Sequence, residues 1–295
     1  MKVRIGLGLG PLRPEDDLDA LLVAMEERGV DSLWLSEVVT APLLDPVVAM
    51  AYVVARTRTV KVGTGVMVLP GRHPVLVAKE LASLARLAPR RILPVFGLQA
   101  ARPHERAFFP VEGGRRAAVF DEALTLVRRL LTEERVTFEG EFYSVTDVGV
   151  GFPPPQRPMD LWLGGSAEGA LRRIGRLADG WLASFVTPDE AAAGIDVIKQ
   201  SAAESGRAIE EDHYGVTMVV AFGDVPDSLL TLARARRPER DPRPLVPVGW
   251  EAAAQLIRKF VDVGVTKFVV RPALPPSSWP EFVGEFAEHM LPLQH

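Results

Sequence analysis

Short β-rich runs alternate with amphipathic helical stretches along this chain, and that alternation restricts it to a parallel sheet covered by helices. Strand-like segments are Val3–Leu9, Ser32–Ser36, Lys61–Leu69, Arg91–Gly97, Asp160–Leu163, Gly180–Ser184, Tyr214–Ala221 and Lys267–Arg271. Between them lie helical stretches at Pro14–Glu27 (stopped by Gly29), Asp45–Arg56, Pro74–Leu87, Arg116–Leu131, Glu168–Leu177 and Pro188–Gln200. Others follow at Asp227–Arg236, Trp250–Val263 and Pro280–Met290. Eight strands within 295 residues fit a single closed (β/α)8 barrel better than an open doubly wound sheet. No composition shift marks a linker, so residues 1–295 read as one domain. The pattern is interrupted at about 133–159, where Val136–Val145 reads as a hairpin around Gly140 and Pro153-Pro154-Pro155 with Pro158 ends the excursion.

Composition removes whole classes of function. The chain has no cysteine, which excludes disulfides, thiolate nucleophiles and Cys-ligated metal or iron–sulfur sites. A net charge of −4 disfavours a nucleic-acid binder. The longest apolar run, Val47–Ala55, falls well short of the roughly 20 residues that span a bilayer. With no leader-like segment ahead of Val3, the expectation is a cytoplasmic protein with a small-molecule substrate and no membrane or nucleic-acid partner. The five histidines show no metal-ligand spacing, so no metal is expected, and no Gly-x-Ser-x-Gly elbow is present.

Several local motifs keep two readings open. Gly6-Leu-Gly8-Leu-Gly10 fails the dinucleotide spacing, and reads either as a strand-end turn or as small residues lining a flat ligand. Gly63-Thr64-Gly65-Val66-Met67 is either a bulge or crowding at a barrel axis. Leu161-Trp162-Leu163-Gly164-Gly165-Ser166 runs from a strand straight into a helix. It suits phosphate at the helix N-terminus, with a Ser166 cap as the plainer alternative. Glu37, in the turn after the second strand, is a polar site residue or a solvated carboxylate, and His73 before Pro74 reads as structural. Arg234, Arg236, Arg237, Arg240 and Arg243 crowd one proline-rich stretch, as a solvated loop or a seat for an anionic tail.

The segments Arg56–Gly65, Arg72–Leu81, Thr137–Tyr143, Leu161–Gly165 and Ala178-Asp179-Gly180-Trp181 together resemble the luciferase-like monooxygenase superfamily, in the family's order. The likeness is greatest to actinobacterial oxidoreductases that use the deazaflavin coenzyme F420. It implies a TIM-like barrel with insertions, holding a flavin or deazaflavin at the C-terminal mouth. Carried onto this chain, it implies that Gly8, Glu37, Gly65, Val66 and Gly97 line the ring, and that Gly164, Gly165 and Ser166 hold the phosphate. A non-prolyl cis peptide is expected near Gly65-Val66. The chain departs from the family where Ala88-Pro89-Arg90-Arg91 and Gln99 stand, and Gln99 becomes a further cofactor contact. The expected activity is hydride transfer between F420 and a small organic substrate, with Glu37 as proton donor or acceptor. An FMN-dependent monooxygenase and a non-catalytic flavin or deazaflavin carrier are the alternatives, and relatives suggest a homodimer.

Overall fold

The computed structural model describes residues 2–111, 114–155, 157–236 and 241–295. Its strands are β1 (Arg4–Gly8), β2 (Ser32–Leu35), β3 (Lys61–Thr64), β4 (Met67–Val68), β5 (Ile92–Leu93) and β6 (Val95–Gly97). After the hairpin β7 (Val136–Glu139) and β8 (Ser144–Val148) come β9 (Trp162–Gly164), β10 (Gly180–Ser184), β11 (Tyr214–Val220) and β12 (Lys267–Pro272). The helices are α1 (Leu18–Arg28), α2 (Pro46–Arg56), α3 (Pro74–Leu87), α4 (Arg116–Thr132), α5 (Glu168–Leu177), α6 (Pro188–Glu204), α7 (Asp227–Arg236), α8 (Gly249–Asp262) and α9 (Trp279–Met290).

Parallel pairing runs round a ring. β1 lies between β12 and β2, β2 pairs with β3, and β9, β10, β11 and β12 follow one another. The third and fourth strands are each split, at Gly65-Val66 and at Pro94, so β3 pairs with β5 while β4 pairs with β6, which continues to β9. Counting each split strand once closes the eight-stranded barrel that the alternation called for. The hairpin β7–β8 stands outside it as a separate antiparallel pair. Glu122 on α4 holds it by accepting the amides of Glu141, Phe142 and Tyr143.

Local chemistry moves some boundaries. The first helix does not begin at Pro14: Asp17 accepts the amides of Asp19 and Ala20, and this cap starts α1 at Leu18. His73 likewise caps α3, its Nδ1 accepting the Val75 amide, as the structural reading anticipated.

Alternate strand residues divide the apolar side chains between two layers. Ile5, Leu7, Leu33, Leu35 and Val62 face the helices and pack with Leu21, Met25, Met50, Val53 and Leu81. Trp34, Val95, Leu182 and Val269 fill the barrel interior with Val66, Leu93 and Trp162 against them. A Cβ at Gly6 would lie 2.6 Å from Trp34 Nε1 and one at Gly63 2.7 Å from Trp34 Cζ3, so these two glycines make room for one indole. Crowding at the axis is therefore the correct reading of Gly63.

At the N-terminal end of the barrel, Asp31 accepts from Lys61 at 2.9 Å and from Lys267 at 3.1 Å. Burial would raise the Asp31 carboxyl, but the two ammonium groups outweigh it and hold it at about 2, against an ordinary 3.8. The folded value lies below the unfolded one, so the pair stabilises the fold above about pH 4 and that contribution is lost as the pH falls towards 2. The shift corresponds to about 2 kcal/mol. Asp31→Asn is expected to flatten the acid limb of the unfolding curve between pH 4 and 2. It should also cost about 3 kcal/mol at neutral pH, because Lys267 is left buried and uncompensated. Urea titrations across that pH range read both effects, and an unchanged acid limb refutes the assignment.

Candidate active site at the C-terminal mouth of the barrel

In a parallel barrel the loops after the strands form one face, and catalytic machinery collects there. Here the inward-facing residues at that end are mostly glycine and serine. Gly8 ends β1, Ser36 follows β2, Gly97 ends β6, Gly164 ends β9 and Ser184 ends β10.

The floor of the mouth is built around Val66. The Gly65–Val66 peptide is cis, at the place the resemblance implied, and the Gly65 amide donates to the Leu35 carbonyl at 2.7 Å. The Val66 side chain then occupies the space that Cβ atoms on two neighbouring strands would need. A Cβ at Gly97 would come within 2.5 Å of Val66 Cγ2, and one at Gly164 within 2.8 Å of Val66 Cγ1. Gly65 is open above, its nearest neighbour being Leu182 Cδ2 at 3.7 Å from a built Cβ. Gly65, Val66, Gly97 and Gly164 are thus brought together in one layer, and the bulge reading holds for Gly65.

Gly8 lies apart from this group. Its missing side chain accommodates Arg271, whose Cβ would be 2.9 Å from a Cβ at Gly8. Gln99 is exposed at the rim.

Glu37 is buried, and both of its oxygens are engaged. Oε2 accepts the Val68 amide at 2.7 Å, while Oε1 pairs with Arg72 Nη2. Arg72 also donates from Nε to the Val68 carbonyl at 3.0 Å and lies over the Phe109 ring at 5.4 Å. Burial pushes the Glu37 carboxyl up, against the Val68 amide and Arg72, which favour its charged form. The sequence pointed to Glu37 but not to Arg72, because the two meet only across the turn that follows β4.

A second polar group crosses the rim from the loop after β2 to the 3₁₀ turn Pro103–Phe108. Thr40 Oγ1 donates to Glu105 Oε1 at 2.5 Å, Arg102 Nη1 donates to Thr40 Oγ1 at 2.9 Å, and His104 Nε2 lies 3.0 Å from the same hydroxyl oxygen. Burial would raise the Glu105 carboxyl, but hydrogen bonds from Thr40 outweigh it and hold it low. With the hydroxyl proton committed to Glu105, His104 Nε2 must be the donor to Thr40. In that tautomer the second ring nitrogen, Nδ1, is the one free of a proton.

Across the mouth, Gly164-Gly165-Ser166 leads into α5. The N-cap of that helix is Ala167, and no side chain caps it. The plainer reading of Ser166 as a cap is therefore wrong: no side chain caps the first turn of α5, and Gly165 precedes it at φ +114°. Of the arginine-rich stretch, Arg234 lies on α7 and Arg243 in a later turn, both exposed, while Arg237 and Arg240 lie outside the described residues.

The opposite end of the barrel holds a cavity of about 180 Å³ lined by residues such as Arg4, Lys61, Trp162, His213 and Lys267. These belong to the N-terminal ends of strands or the turns before them, the face on which barrel conservation serves stability. Beside it, Glu210, Asp212 and His213 bring possible ligand atoms within 4.8 Å of one another, a grouping that sequence spacing did not reveal. Among the described residues, no helix is long and apolar enough to cross a membrane.

Known proteins share this fold. The chain is 26% identical over 316 residues to a protein of Kineococcus radiotolerans named F420-dependent glucose-6-phosphate dehydrogenase, covering 92% of this chain and 90% of that one. A protein of the same name from Nakamurella multipartita is 28% identical over 321 residues, covering 94% and 91%. Among solved structures, an F420-dependent secondary alcohol dehydrogenase in complex with an F420–acetone adduct superposes with a TM-score of 0.83 at 17% identity, over 100% of both chains. The sequence profile of the luciferase-like monooxygenases matches residues 3–261, and the chain belongs to that family.

Proposed function

We propose that this protein is an F420-dependent oxidoreductase that moves a hydride between the deazaflavin and a small organic substrate. The observation that carries this reading is the pairing, on one face of the barrel, of a glycine floor with an uncapped helix N-terminus. Because Val66 fills the space where side chains on β6 and β9 would stand, those two strands raise no side chain above the floor, which suits a flat ring system. The amides of α5 behind Gly164, Gly165 and Ser166 suit the phosphate that ends the cofactor's ribityl chain. The relatives from Kineococcus and Nakamurella, similar over nine-tenths of the chain, carry F420 in their names and support the deazaflavin over FMN.

When bound, the cofactor supplies the hydride-accepting or hydride-donating carbon. The chain's own residues position it and keep water from beneath it. Val66, Leu182, Val95 and Trp34 form a continuous apolar plug under the floor. Glu37 anchors the segment after β4 through Val68 and Arg72, which holds Val66 in place. We read it as a positioning residue rather than the proton donor, because both of its oxygens already accept from groups that hold the segment after β2 to β4, the Val68 amide and Arg72. At the rim, His104 Nδ1 offers the proton-accepting site that oxidation of a hydroxyl carbon would need.

A fluorescence titration with oxidised F420, run beside FMN, tests the reading. Micromolar or tighter binding of the deazaflavin, with much weaker binding of FMN, is the expected result. Preference for FMN would move the protein to oxygen chemistry, and binding of neither would withdraw the enzyme assignment.

A further inference from the structure

At the end of the barrel opposite the mouth, one histidine faces three carboxylates. His213 stands just before β11, in a turn that its amide closes on the Glu210 carbonyl at 3.0 Å. Its Nδ1 lies 2.7 Å from the Asp179 carbonyl, and a carbonyl only accepts, so that nitrogen carries the proton. In the neutral ring Nε2 is then a bare acceptor. Around it stand Glu210 Oε2 at 3.7 Å, Asp160 Oδ2 at 3.9 Å and Asp212 Oδ1 at 4.0 Å. The imidazole is largely buried, with 13% of the side chain exposed.

Four acceptors thus converge with no donor between them. A proton on Nε2 does not bridge them, because all three oxygens lie beyond hydrogen-bond range. Among the described residues, no cation of the chain other than His213 pairs with Asp160, Glu210 or Asp212. The buried lysines of the neighbouring wall, Lys61 and Lys267, are engaged by Asp31.

A metal ion fits what a proton does not. Zinc bonds of about 2.0–2.2 Å to nitrogen and oxygen place tetrahedral ligand atoms roughly 3.4 Å apart. The three oxygens stand a few tenths of an ångström outside that spacing, within reach of small side-chain rotations. Zinc-bound histidines donate their other ring N–H to a carbonyl or carboxylate, as Nδ1 does here. The ring is held in place. Trp162 packs against it with centroids 5.3 Å apart, and the His213 carbonyl accepts the Trp181 amide at 2.9 Å. Asp179, which receives Nδ1, is itself tied to Leu161 by hydrogen bonds of 2.9 Å and 2.8 Å. All four residues line the cavity of about 180 Å³ at this end, which gives an ion room to enter.

We propose that Asp160, Glu210, Asp212 and His213 form a structural zinc site at the N-terminal end of the barrel. Four protein ligands leave no open position for a substrate, so the ion acts as a clamp. It ties the entrance of β9 to the entrance of β11, two strands held apart by β10 between them. The site does not rest on the F420 reading.

Tag-free, full-length protein stripped with EDTA tests it, by calorimetric titration with Zn²⁺ and by thermal shift, with Mg²⁺ and Ca²⁺ alongside. One zinc per chain should bind at micromolar affinity or tighter and raise the unfolding temperature. Magnesium and calcium should bind at least a hundredfold more weakly. His213→Gln should weaken zinc at least a hundredfold, and the double variant Glu210→Gln/Asp212→Asn at least tenfold. Wild-type zinc affinity weaker than millimolar overturns the proposal and leaves His213 an ordinary ion-pair partner. Zinc binding that survives both variants places the ion elsewhere and also overturns it. Equal affinity for magnesium or calcium overturns it too, since a loose carboxylate cluster needs no imidazole. If His213→Gln does not fold, the double variant decides alone, and unchanged zinc affinity in it refutes the site.

Discussion

Replacing Gly165 with valine is expected to weaken F420 about a hundredfold. The same change should leave the affinity of the phosphate-free deazaflavin riboside within about threefold of wild type. Two effects add. Gly165 sits at φ +114°, where a branched L-residue is strained, and a Cβ there would meet Ala170 Cβ at 3.0 Å. The loop must shift, and the α5 amides move away from the phosphate. Loss of two charge-assisted hydrogen bonds at about 1.5 kcal/mol each corresponds to roughly that hundredfold. Equal weakening of the two ligands would show that the loop supports the ring instead, and the phosphate assignment would fall.

Gly97→Ala is expected to lower stability by about 2 kcal/mol and the unfolding temperature by about 5 °C, through overpacking against Val66. The added methyl would lie 2.5 Å from Val66 Cγ2, inside a layer already closed by Trp34, Val95 and Leu182. F420 affinity should fall with it, because Val66 can yield only upward into the floor. Val66→Ala removes the clashing methyl groups, so the double variant Gly97→Ala/Val66→Ala should recover most of the loss in both measurements. Its coupling energy should reach about 1 kcal/mol or more. Additive effects, with no rescue, would show that the two residues do not share this space.

Both predictions depend on residues whose types were visible in the sequence and whose reasons were not. Gly164-Gly165-Ser166 could be read as an anion loop from strand, glycines and helix alone. Whether Ser166 capped the helix was a question about its backbone position, and the structure places the cap one residue later, at Ala167. Gly6, Gly8 and Gly10 looked like one motif, yet the first serves Trp34 and the second Arg271, because neighbouring strands in a barrel set what each glycine faces. The third and fourth strands were read as continuous. Gly65-Val66 and Pro94 break them, and it is the break that lifts Val66 into the mouth.

Glu37 shows the same limit from another direction. Its position after β2 made it a candidate at the ring, since a carboxylate in that turn points to the mouth. What it does there depends on Arg72, thirty-five residues later, which no local pattern connects to it. His104, Thr40 and Glu105 meet across two loops for the same reason.

The sequence by itself determined the order of the barrel's eight strand positions and its helices, the chemistry of several helix starts, the hairpin and the family. Those properties depend on periodicity, turn residues and motif order over short distances, where each residue's neighbours are its neighbours in the chain. The floor around Val66, the Glu37–Arg72 pair and the position of Arg271 over Gly8 were decided only by the tertiary structure. Each is a contact between strands or loops, fixed by inter-strand register and barrel closure, and register is a property of the whole ring.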